Sequence, residues 1–160
     1  MKDISYSLDV LKVTRTNVIN FIDGMSYDDL VKVPKGFNNS ILLNAVHNLA
    51  VQQLLCYKLS GLDLNIPEKF LEGYTKGSDG KSAIAESDIM EFKALLLSTI
   101  DVLNDDYNQV KFSNFKEYTT SYNITLKSID DVINLNNTHE VLHIGYMMPF
   151  KKLLTTYLIN

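Results

Sequence analysis

The chain has one cysteine, no block of basic residues and no apolar run approaching the length that spans a bilayer. A lone thiol, Cys56, rules out an intramolecular disulfide and fits a reducing compartment. Lysine and arginine are scattered against a formal charge of -4, without an aromatic-interleaved basic stripe, so nucleic acid is not an expected partner. The opening MKDISYSLDV lacks the apolar core of a secretory leader. A cytoplasmic, soluble protein with no membrane partner is the expectation. Internal repeats and low-complexity tracts are absent as well. GSDGKS stops short of a phosphate-binding loop, because GxxxxGK[ST] needs glycine where Thr75 stands and a buried strand before it. The KGSDGK stretch therefore reads as a solvated loop.

What is present points to helices. At 160 residues and 46% hydrophobic content, residues 1–160 suit one compact domain. Helical spacing of apolar residues predicts helices over 3–23 (Ile4, Leu8, Leu11, Ile19, Ile22), 39–60, 86–106 (Ile89, Phe92, Leu96, Ile100, Leu103) and 128–157. Four long helices imply an all-α four-helix bundle. The connections are long, and short helices are expected within them: one after Ser26 in SYDDL, and a turn opened by Pro67 through Phe70 and Leu71. YTTSYNITL, rich in tyrosine and threonine, suits an irregular extended piece beside the bundle. Ser128, with Asp131 three positions on, should cap the last helix, whose inward stripe runs Val132, Asn136, His139, His143, Tyr146, Phe150, Leu153, Tyr157. Pro149 lacks an N–H and presses on the carbonyl of Gly145, so it should interrupt this helix and kink it just beyond His143.

The chemistry rests on the histidines. His139 and His143, in HEVLH, are four residues apart, about 40° of arc and one turn of rise, and can offer ring nitrogens to one point. His47 lies mid-helix in LLNAVHNLAVQQLL, on a side shared with Leu43, Ala50, Val51 and Leu54, where an imidazole would be poorly satisfied without a cation. One ion bound by all three rings would leave each second ring nitrogen needing an acceptor, with Asn44, Asn136, Glu140 and backbone carbonyls as candidates. Cys56, nine residues after His47 and roughly 180° around that helix, should face away as a packing residue. HEVLH also matches the HExxH of zinc proteases, in which the glutamate is the base. That reading loses its third ligand, because IGYMMPFKKLLTTYLIN contains no His, Asp or Glu. Glu140 itself reads as a surface charge, with reach to an ion-activated water as the alternative.

Taken in order, GFNNSILLNAVHNLAVQQLLCYKLSGL, KGSDGK, a third helix and YTTSYNITLKSIDDVINLNNTHEVLHIGYMMPFKKLL resemble the DinB-like superfamily over nearly the whole chain. The resemblance implies an up-down-down-up four-helix bundle and a three-histidine metal site at His47, His139 and His143. It also implies a homodimer. This chain departs from the family pattern with Leu43 and Val46 before the first histidine, where tryptophan and glycine are frequent, and with Val141 where glycine often follows the glutamate. These changes imply a narrower or differently shaped pocket. Characterised relatives include thiol-dependent S-transferases and a maleylpyruvate isomerase.

Three imidazoles leave a divalent ion an open position, as in catalytic sites. Zinc or nickel is expected first, with iron, copper or cobalt also compatible with nitrogen ligands. The expected function is a metal-dependent transferase acting on a small molecule with a low-molecular-weight thiol. Tyr146 and Asn136 would orient the substrate or the bound group. The alternatives are a hydrolase using ion-activated water with Glu140 as base, and a non-catalytic, metal-stabilised binding protein.

Overall fold

The computed structural model describes residues 2–74 and 84–156; KGSDGK, Thr75 and Tyr157 lie outside the described residues. Its architecture is mostly helical. The long helices are α1 (Ser5–Asp23), α3 (Ile41–Cys56), α4 (Ile89–Asn108) and α5 (Ile129–Thr156), with a short α2 (Tyr27–Val31) between the first two. Ser26 caps α2 by accepting from the Asp29 N–H, and Ser40 caps α3 by accepting from Leu43 N–H. Pro67 opens a single turn over Glu68–Phe70, as expected. A second turn, Lys58–Ser60, is closed by Gly61 at φ 71°, a left-handed position that glycine adopts without strain.

Strands β1 (Tyr118–Thr119) and β2 (Thr125–Leu126) give the tyrosine- and threonine-rich segment its extended form, pairing Tyr118 with Leu126 and Thr119 with Thr125. Asn123 turns the hairpin at φ 61°, and buried Leu126 ties it to the core. Ser128 accepts from Asp131 N–H while the Asp131 carboxylate accepts from Lys127 N–H, so the reciprocal cap that starts α5 is shifted out by one residue. Pro149 does not interrupt α5, which continues to Thr156. Gly145 and Pro149 both lie on the exposed face, where water can take the carbonyl that the proline leaves unpaired.

Helix α3 is buried almost all round and packs most extensively against α5. Helix α1 packs against both α4 and α5. The apolar core falls into two clusters. One joins Val18 and Ile22 of α1, most of α3, Phe92 and Leu96 of α4, and Met147 and Phe150 of α5. The other joins Leu8 and Leu11, Cys56, Ile100 and Leu103, and Val132 and Ile133. Between them in each of the four long helices stand polar side chains: Arg15, Gln52, Thr99, Asn136 and Glu140, each at most 2% exposed.

Arg15, the chain's only arginine, organises this layer. Its Nη2 donates to Glu140 Oε1 at 2.8 Å, and its Nε lies 3.2 Å from Oε2. Its Nη1 donates to the Leu96 carbonyl at 2.9 Å and to Thr99 Oγ1 at 2.8 Å, and Asn136 Nδ2 donates to Glu140 Oε1 at 2.9 Å. One buried ion pair thus fastens α1, α4 and α5 together, with its charges satisfied on several sides as burial demands.

Candidate metal centre

His47 comes from the middle of α3 and His139 and His143 from successive turns of α5, so the site forms across the tightest helix pair of the fold. The rings of His139 and His143 are 4.5 Å apart between centroids, and the His47 ring lies 5.3 and 4.8 Å from them. One ring nitrogen from each residue lies within 4.8 Å of the other two. The three histidines therefore form a group that can hold a metal ion.

Hydrogen bonds orient two of the rings. Asn44 donates through Nδ2 to the Ser40 carbonyl at 2.7 Å, which turns its Oδ1 toward His143 Nδ1, also at 2.7 Å. The Tyr74 carbonyl lies 2.5 Å from His47 Nδ1. Each oxygen requires a hydrogen on the Nδ1 it faces, so both rings keep the Nε2 lone pair for another partner. These acceptors, an asparagine and a backbone carbonyl, are of the kinds anticipated from sequence. His139 Nε2 lies 3.1 Å from His143 Nε2, close to the roughly 3.3 Å that two nitrogens on one tetrahedral zinc would have. His139 Nδ1 is buried and has no partner among the described residues. Converging ring nitrogens, two of the three rings tethered through Nδ1, fit a divalent cation.

Burial holds all three rings neutral. It pushes His47 below the ordinary imidazole range, against the opposing hydrogen bond to Tyr74. Burial, then the neighbouring His47, lowers His139 to about 4, with Glu140 opposing. Burial, then His139 and His47, lowers His143 to about 3. Neutral imidazole is the form that ligates a metal. In the metal-free protein, the unfolded chain binds protons that the folded chain refuses. Stability contributed by these rings is complete above the unfolded value of 6.5 and is lost as pH falls from 6.5 toward 4 and 3. The melting temperature of chelated protein is expected to fall across this window, and a triple His→Gln variant should flatten the slope. An equal slope in both would contradict the assignment.

The rings open onto a cavity of about 800 Å³. Val51, Leu54 and Leu55 of α3, Leu135 and Leu142 of α5, and Tyr118, Tyr122 and Ile124 of the hairpin segment form its apolar walls. Among the described residues no carboxylate or thiol lines it, so these offer three nitrogen ligands and leave further coordination open to the cavity.

Other residues singled out from sequence lie elsewhere. Glu140 is not the surface charge expected, nor does it reach the cavity: it is fully buried, bound by Arg15 and Asn136, and absent from the cavity wall. Its position about 100° around α5 from His139 turns it toward α1 and α4. Asn136 donates to that carboxylate and does not line the cavity, so the structure does not place it where a substrate would be oriented. Tyr146 is 46% exposed and stacks edge-on against Phe37 and Phe150, outside the cavity wall. Cys56 is buried, and burial pushes its thiol up to about 12, with Arg15 opposing, which makes it the packing residue expected. Sequence reasoning missed Arg15, whose signal was a sole arginine continuing the stripe Leu8, Leu11, Val18, Ile22. It also missed the Tyr74 carbonyl, which no local pattern marks.

The family model of the DinB superfamily matches residues 11–147. The chain belongs to the DinB superfamily. The matched span includes His47, His139 and His143, and also Arg15 and Glu140, so the candidate centre and the polar layer of this DinB-superfamily protein both lie inside the family region. No curated protein and no solved structure matches the chain. No helix among the described residues is long and apolar enough to cross a membrane.

Proposed function

We propose that this DinB-superfamily protein is a metal-dependent transferase in which His47, His139 and His143 hold a divalent cation, zinc or nickel first, and a low-molecular-weight thiol is the nucleophile. The observation that carries the reading is the convergence of three imidazoles, two of them fixed through Nδ1, at the wall of an apolar cavity. A divalent cation there would supply Lewis acidity that keeps a thiol ionised near neutral pH. The chain's own residues do the rest. Asn44 and the Tyr74 carbonyl aim His143 and His47, while the leucines and Val51 give apolar walls to the space where sulfur would meet an electrophilic carbon. The S–C bond forms as the leaving group departs with its electron pair, and the thiol proton passes to solvent. Thiol transfer is favoured over hydrolysis because Glu140, the base a hydrolase would use, is committed to Arg15. Metal-loaded protein incubated with common cellular thiols and model electrophiles is expected to give turnover that chelation abolishes. Equal rates with and without metal would refute the reading.

The four long helices are read as an up-down-down-up bundle with α5 bending at Pro149. Contacts from Ser7 to Asn137 and from Arg15 to Glu140 support parallel α1 and α5, and those from Asp23 to Lys93 and Tyr107 to Lys2 support antiparallel α1 and α4. A homodimer is the proposed assembly, seated on the α5 face where Val141 and Met148 are 51% and 59% exposed. Sedimentation is expected to show a dimer that a Val141→Glu, Met148→Glu variant converts to monomer; a monomeric wild type would contradict it. A cytoplasmic setting accords with the lone thiol.

A further inference from the structure

The cavity wall has a polarity of its own. Tyr118, Tyr122, Ile124 and Leu142 are large apolar side chains between 41 and 63% exposed, and all four face this one concavity. Scattered apolar exposure is ordinary, but a concave cluster marks a binding surface. Apart from the histidines, Lys58 is the wall's one charged residue among the described residues, and it is exposed. It has no ion-pair partner among the described residues, and no described aspartate or glutamate of this acidic protein lines the cavity. Lys58 follows His47 by eleven positions, which places its backbone about 16 Å from that of His47 along the α3 direction.

We propose that the cavity takes an elongated amphipathic anion. Its apolar body lies between α3, α5 and the hairpin, its anionic group rests on Lys58, and its other end reaches the histidine cluster. The substrate class that results is an apolar organic acid rather than a sugar, a cation or a small polar electrophile. The orientation rests on the reading that the histidines mark the reacting end; the anionic subsite at Lys58 stands apart from it. Apolar walls supply affinity without direction, and the single cation supplies the direction. Lysine on a flexible stem can follow a carboxylate, sulfonate or phosphate alike.

Calorimetric titration with dodecanoate below its aggregation concentration tests this in chelated protein, where no metal can hold the carboxylate. Metal content is measured on the same preparations. Saturable one-to-one binding is expected with and without metal, weakened about tenfold by Lys58→Glu and less by Lys58→Gln. The neutral analogue 1-dodecanol should bind wild type and Lys58→Glu alike, and added salt should narrow the difference between the variants for dodecanoate. Absence of saturable dodecanoate binding, or equal affinity in wild type and Lys58→Glu, overturns the proposal. Unchelated protein that takes up no metal when zinc and nickel are supplied, yet binds dodecanoate through Lys58, sustains this inference while removing the metal reading.

Discussion

Glu140→Ala and Arg15→Ala are each expected to destabilise the protein by roughly 3–5 kcal/mol, because each strands the opposite charge in a fully buried site. The two side chains are fully buried, and Arg15 also carries the Leu96 carbonyl and Thr99 hydroxyl of α4. For a domain of this size, such a loss corresponds to a melting temperature lower by about 10 °C or more. Replacing both partners with apolar residues of similar volume, Arg15→Met with Glu140→Leu, should cost less than either single change. The unfavourable term is the uncompensated charge, and its removal relieves the core. A urea-unfolding double-mutant cycle measures this coupling. Single changes costing under about 1 kcal/mol, or costs that simply add, would show that the polar layer contributes no such coupling.

The second large effect falls on metal affinity. His143→Ala removes a ligand ring from the middle of the cluster, and Asn44→Ala leaves the ligand but frees its orientation. A lost acceptor to a ligating histidine costs about 10–100-fold in affinity, and a lost ligand should cost more. Since a ligand that binds only the folded chain raises stability with its free concentration over Kd, saturating zinc should raise the wild-type melting temperature most. The rise should be smaller in Asn44→Ala and absent in His143→Ala. Identical shifts in all three proteins would place the bound metal elsewhere.

The helices were legible because their apolar stripes have helical spacing: the expected 3–23 and 128–157 lie close to Ser5–Asp23 and Ile129–Thr156. His139 and His143 were legible as a pair for the same reason, since four residues bring two rings onto one face. His47 could be matched to them because it lies mid-helix in a strongly apolar segment. Arg15 and Glu140 were not legible. Each is a residue type that normally faces solvent, and only the meeting of α1 with α5 across 125 positions reveals why these do not. The cavity was hidden for a related reason. Its outer wall is the segment from Tyr118 to Ile124, whose placement over α3 and α5 depends on long-range packing of Leu126 and on no local pattern. Pro149 marks the limit of a local rule: α5 continues through it to Thr156, with Gly145 and Pro149 on the exposed face.

Three neutral rings from two helices, sharing one divalent ion, are the centre of this account. Elemental analysis of protein purified without a histidine tag, beside its triple His47→Ala, His139→Ala, His143→Ala variant, tests it most directly. About one divalent metal per wild-type chain and none in a folded variant is the expected result. Metal retained in equal proportion by the variant, or a wild-type chain that takes up none when zinc and nickel are supplied, would contradict it.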